Sequence, residues 1–213
     1  MTTKLTKLTK LAKLAPTLAI FLASAAPAAI VSVSGSVQQI APPALVIQGV
    51  SYTSSPDTAT AWNELQGVPL SGIPADMVNH PGHSNIAVPG SLSGVFDSHY
   101  IHYRHTTLAP ITGTIAFDGK IVGVMFTWYT LAASESFVEP NTGMYSTSNP
   151  NTGIDSPGEW FTTSTSSLTF HLYGSIFYHD TAEIRVITER VPAPGAAALA
   201  ALAGAAALAR RRR

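Results

Sequence analysis

The 213-residue chain has no cysteine, so no disulfide staples it, and any zinc site would have to be assembled from His, Asp and Glu. Basic residues are almost missing from its middle. Four of the twelve are Lys4, Lys7, Lys10 and Lys13, and four more are Arg210, Arg211, Arg212 and Arg213. Only Arg104, Lys120, Arg185 and Arg190 remain, against twelve acids spread from Asp57 to Glu189. Four bases against twelve acids give the segment between the ends a formal charge of −8, which excludes a phosphate-tracking nucleic-acid surface. The nucleophile elbow of α/β-hydrolases is also absent: in Gly90-Ser91-Leu92-Ser93-Gly94, Leu92 stands where the reactive Ser belongs. No amphipathic helical period occurs between the ends. Roughly 160 residues nevertheless suffice for one domain to bury about 70% of its unfolded surface.

The two ends read as membrane-active segments. Lysines at every third position precede the apolar stretch 14–23, which Pro16 interrupts. Two small-residue sites follow, Ala23-Ser24-Ala25 and Ala26-Pro27-Ala28. A positive head, a short apolar centre and an A-x-A site describe a secretory signal peptide, here 1–28, removed by signal peptidase. At the other end, 196–209 holds ten Ala, three Leu and Gly204, with no polar side chain. As a helix it would be roughly 21 Å long, against a bilayer core of about 30 Å. The four terminal arginines place its end on the cytoplasmic face.

Pro192-Ala193-Pro194 after Val191, the apolar helix and the arginine cluster together resemble the PEP-CTERM sorting signal of diderm bacteria, with Ala193 where the family pattern has Glu. The resemblance covers 191–213. It implies transient membrane insertion and an exosortase-type membrane protease that recognises Pro192 and Pro194, removes the helix and arginines, and releases the domain to the cell surface or extracellular matrix. A looser resemblance lies between the ends. "DSHYIHY" from Asp97, "GTIAFDGKIVGV" from Gly113 and "DTAEIRVIT" from Asp180 look like blocks shared by β-rich PEP-CTERM proteins of unassigned function. No catalytic residue is implied.

Between the ends, 29–190 reads as strands. Ile111, Gly113, Ile115 and Phe117 alternate with Thr112, Thr114, Ala116 and Asp118, the period of a half-buried strand. Asp118-Gly119 offers a positive-φ turn, and 120–129 reads as the returning partner, apolar enough to be a central strand with Trp128 in the core. Segments 44–53, 96–103, 168–173 and 182–188 add further strands, and 139–160 is rich in breakers. Only 61–67 suggests a short helical turn. The pattern predicts an all-β fold, an antiparallel, jelly-roll-like β-sandwich flanked by an N-terminal signal helix and a C-terminal transmembrane helix.

Candidate chemistry is sparse. His80, His83, His99, His102 and His105 cluster in sequence, but on a strand His102 points opposite to His99 and His105, and those two lie about 20 Å apart. Solvent-facing histidines, with no metal, are the expectation. Asn149, Asn151 and Asp155 lack the glycine and terminal Glu of a calcium loop. Glu135 with Glu139, and Asp155 with Glu159, read as solvated loop acids rather than a glycosidase pair. Trp160, after a Pro-Gly turn, is the tryptophan read as exposed and as a possible glycan contact. No cofactor and no catalytic residue are assigned. The sequence supports an exported, non-enzymatic surface or matrix protein. The alternative is a carbohydrate-binding module attaching to exopolysaccharide, and a small secreted hydrolase ranks third.

Overall fold

A computed structural model of the chain describes residues 25–26, 28–43, 57–104, 109–137, 153–154, 158–173 and 181–192. Among these, strands dominate: β1 (Ala25–Ala26), β2 (Ile30–Gly35), β3 (Val37–Gln39), β4 (Ala59–Ala75), β5 (Gly82–His83), β6 (Gly90–Arg104), β7 (Ile111–Phe117), β8 (Ile121–Met125), β9 (Trp160–Thr163), β10 (Ser167–Leu172), β11 (Thr181–Glu189) and β12 (Val191–Pro192). One α-helix, α1 (Trp128–Ser134), follows β8.

Two five-stranded sheets form, in the orders β2-β7-β10-β9-β5 and β3-β4-β6-β11-β8, an arrangement compatible with an all-β sandwich. We call them the first and second sheets. Every pairing is antiparallel except β3 with β4, which is parallel. The period of two does its work in β7 and β10. Ile111, Ile115 and Phe117, with Leu168, Phe170 and Leu172, turn inward and meet Ala61, Ile101, Ile184 and Val186 of the second sheet in one core. Each such aliphatic or aromatic side chain contributes roughly 1.5–3 kcal/mol on burial.

The chain steps between sheets at sharp points. β2 and β3 are nearly continuous in sequence yet belong to different sheets, and Gly35 at φ +76° makes the step. A Cβ there would lie 2.5 Å from the Thr112 carbonyl oxygen, so both backbone angle and space demand glycine. β7 and β8 likewise belong to opposite sheets, so the expected 113–129 hairpin does not form. Phe117 N–H donates to the Ser166 carbonyl and Ile121 N–H to the Thr165 carbonyl, both at 2.8 Å. The 118–120 segment is therefore an arch held by the β9–β10 turn. Gly119 does not adopt positive φ. β8 is also the last strand of its sheet rather than a central one.

Two further expectations are corrected. Residues 61–67 lie in β4, whose register shifts between Asn63 and Leu65, Leu65 and Val68, and Leu70 and Ile73. Pro69 and Pro74 pair with Val95 and Ser91 of β6 and lie beyond the stretch Ala59–Ala61 that pairs with β3; there, among the described residues, only one side of the strand is bonded. Trp128 is not core: it opens α1 and is 46% exposed, beside Tyr129 at 64%. Thr127 caps that helix, and Asp76 fastens it to β4 by accepting Phe126 N–H, Thr127 N–H and the hydroxyls of Thr127 and Thr130. The segment 44–53, read as a strand, lies outside the described residues, as does most of 139–160.

Candidate functional site

Among the described residues, three places bring polar and aromatic side chains together. The first is where the chain ends converge. β1 pairs with β12 in the register Ala25 with Pro192 and Ala26 with Val191, so the segment read as the close of a signal peptide lies beside the one read as the start of a sorting motif. Below this pair sits Asp97 of β6, fully buried. One of its oxygens accepts Ala28 N–H and the other accepts Gly67 N–H at 2.6 Å. Arg190, just after β11, brings its guanidinium to 3.6 Å from the same carboxylate. Next along the chain, Ala29 N–H donates to exposed Asp118, and the Ala28 carbonyl accepts from Gln66 Nε2. Of the sorting segment, Val191 and Pro192 are placed in β12; Ala193, Pro194 and Arg210, Arg211, Arg212 and Arg213 lie outside the described residues. No helix among the described residues is long and apolar enough to cross a membrane.

The second place is the outward face of the first sheet. Thr112, His171 and Trp160 form one cross-strand row, and Thr114, Thr169 and Thr162 the next, with His83 at its end. Thr114 and Thr169 share a hydrogen bond at 2.9 Å. Trp160 is half-buried rather than freely exposed. Its indole lies between two imidazoles, His171 at 5.4 Å and 7° and His83 at 5.5 Å and 27°, while Tyr173 extends the row beyond His171. β9 runs between the strands that carry the two histidines, so both faces of the indole are taken and its edge points outward.

The third place is a buried polar layer on the far face of the second sheet, beneath α1. Trp62, Tyr100, Arg185 and Met125 are successive partners across four strands, and Thr60, His102 and Glu183 form the adjoining row. Arg185 is fully buried. It makes a bidentate pair with Glu64, Nε to Oε2 at 2.9 Å and Nη2 to Oε1 at 2.8 Å, and Nη1 donates to the Leu131 carbonyl and Ser134 Oγ. The rings of Tyr100 and Phe137 flank the guanidinium at 5.0 and 5.4 Å. Ser98 Oγ donates to Glu64, and Tyr100 Oη donates to Glu183 at 2.7 Å, with His102 Nδ1 3.3 Å from the same carboxylate. Burial, then the Glu183 charge, pushes the Tyr100 phenol well above its usual range. These bonds tie β4, β6 and β11 to one another and seat α1 on them, a structural role.

The histidines depart from the solvent-facing expectation. His99 and His102 are both buried, on opposite faces of β6 as the strand period requires. His99 bonds Asn63 Oδ1 and Thr188 Oγ1, each at 2.9 Å, and burial drives its pKa down to about 4 against the opposing pull of Asp97, Glu64 and Asp118. His80 bonds Thr163 Oγ1 and the Met77 carbonyl, and burial lowers its pKa also. His83 Nδ1 accepts Asn85 N–H. Among the described residues no three His, Asp or Glu are placed to hold a metal. His105, Asn149, Asn151, Asp155 and Glu139 lie outside those residues. Glu159 is not a solvated acid: it is buried and accepts Tyr173 N–H at 3.1 Å. The Arg185–Glu64 pair escaped sequence reading because its members lie 121 positions apart. Compared with known protein families, curated proteins and solved structures, the chain matches none.

Proposed function

We propose that this is an exported, non-enzymatic protein of the cell surface or extracellular matrix, sorted through a removable C-terminal membrane segment of the PEP-CTERM kind. In this reading a signal helix and a transmembrane helix flank a jelly-roll-like sandwich. Signal peptidase removes the first, and an exosortase-type membrane protease removes the second. The observation that carries the proposal is the pairing of β1 with β12. The last paired residues are Val191 and Pro192, so a membrane helix after Pro194 would hold the domain by one corner. A cut near Pro194 would leave every described hydrogen bond in place. The −8 charge of 29–190 suits a soluble product outside the cell.

The test is the intact mass of protein made from the full chain in a diderm host that carries an exosortase-type protease. The expected product lies outside the inner membrane and lacks everything after about Pro194. Surface protein still bearing Arg210 to Arg213 would show a permanent anchor instead.

A second reading has its own support. The outward face of the first sheet sets the hydroxyls of Thr114, Thr169, Thr162 and Thr112 beside the His83, Trp160, His171 and Tyr173 rings, a mixed surface of the sort that meets sugars. A carbohydrate-binding module attaching to exopolysaccharide through this face would use indole and phenol edges and hydroxyls, because the indole faces are occupied. A glycan array separates the readings: binding that falls at least tenfold in Trp160→Ala establishes the module, and no binding leaves the surface-protein reading alone.

A further inference from the structure

The sequence offers two sites at which the export signal can be cut, after Ala25 or after Ala28. The fold does not treat them alike. Ala28 is fully buried; its N–H donates to buried Asp97 and its carbonyl accepts from Gln66. Its methyl packs over Gly119, where even a single added carbon would come within 2.7 Å of it. A product beginning at Ala29 would lose this residue, empty its space and strip Asp97 of one of two backbone donors. Gly67 and Arg190 would still serve one carboxylate oxygen, but the other would lose the Ala28 donor, and a buried acceptor left without one carries a desolvation penalty. The compensation would be a new ammonium at Ala29 facing Asp118, but that carboxylate is exposed, where an ion pair contributes little. The buried loss outweighs the exposed gain. A product beginning at Ala26 keeps Ala28 in place and retains the Ala26–Val191 partnership of β1 with β12.

We propose that signal peptidase cuts between Ala25 and Ala26, and that Ala26, Pro27 and Ala28 belong to the mature domain, closed at both ends over Asp97. The reaction hydrolyses the Ala25–Ala26 amide: water adds, Ala25 leaves with the signal as a carboxylate, and Ala26 becomes the new terminal ammonium. Asp97 then holds both ends of the mature chain, Ala28 through a backbone N–H and Arg190 through its guanidinium. This inference rests on the export reading above.

The experiment uses the full chain in a host with signal peptidase, followed by N-terminal sequencing of the exported protein. The expected sequence starts Ala26-Pro27-Ala28. A start at Ala29, or at any other residue, overturns the inference and leaves export standing; a chain that keeps Met1 in every fraction overturns both. Two variants sharpen the result, because a large residue just before the cut blocks a small-residue site. Ala25→Trp should abolish the Ala26-starting species, and Ala28→Trp should leave its formation unchanged. Conversion of precursor to product in a pulse-chase reads this before folding matters, so a misfolded Ala28→Trp product does not obscure it. Loss of the Ala26-starting species in Ala28→Trp would overturn the assignment.

Discussion

Arg185 sits fully buried in the second sheet with both its Nε and Nη2 on the Glu64 carboxylate. Removing one partner of a buried, hydrogen-bonded ion pair leaves the other charge stranded, at a cost of about 3–5 kcal/mol. Arg185→Met and Glu64→Gln are each expected to destabilise the domain on that scale in urea unfolding. The double variant Glu64→Leu/Arg185→Met should cost less than the two singles added, since it removes both charges from the interior. Strict additivity would show that the pair is not coupled. His99 makes the corresponding prediction for pH. It is buried and neutral in the fold with its pKa depressed to about 4, whereas the unfolded chain takes up the proton near 6.5. Between those values the unfolded state binds more protons, so stability is full above pH 6.5 and falls as pH drops toward 4. The loss amounts to about 3 kcal/mol. His99→Gln, which keeps a hydrogen-bonding side chain without the titration, should flatten this part of the stability–pH curve.

At the level of elements, the arch between β7 and β8 carries a prediction whose reason differs from the one sequence suggests. Asp118-Gly119 looks like a hairpin turn that needs positive φ, but Gly119 is required for space: a Cβ would lie 2.4 Å from the Glu189 carbonyl oxygen and 2.7 Å from the Ala28 Cβ. Gly119→Ala is expected to cost about 1–3 kcal/mol, and Gly119→Val more, in thermal or urea unfolding. The strands themselves were legible. Ile115 and Phe117 in β7, and Leu168 and Phe170 in β10, announce their inward face by simple alternation. Their partners were not, because a dipeptide turn signal speaks only of local conformation. The bonds that decide this connection come from Thr165 and Ser166, far along the chain. Residues 61–67 include the helix formers Ala61, Glu64, Leu65 and Gln66, yet pairing with β6 overrides that preference. α1 was hidden for the opposite reason. Its apolar residues continue those of β8 without a break, and only Thr127, its cap, marks the change. Of the candidate site, Trp160 and the 191–194 motif were visible as residue types. The rings around the indole and the strand facing Val191–Pro192 come from remote sequence.

For the molecule as a whole, the sorting proposal turns on charge at one end and on the fold at the other. Replacing Arg210, Arg211, Arg212 and Arg213 with Glu should abolish retention of the precursor at the inner membrane, because positive charge holds that end in the cytoplasm. Fractionation before processing reads the outcome, and a precursor still membrane-held would contradict it. The meeting of β1 and β12 has a mechanical side as well. In a mature chain that starts at Ala26, the Ala26–Val191 partnership lies nearest both chain ends, so pulling on the two ends would part it first. Once these few bonds yield, the load reaches Asp97, whose links to Ala28 and Arg190 are the next to bear it. A pull transmitted through the C-terminal end alone, with the other end free, applies no opposing tension across the two sheets. In the proposed precursor, held at the membrane only through its C-terminal end until the cut, the domain would therefore bear no stretching load.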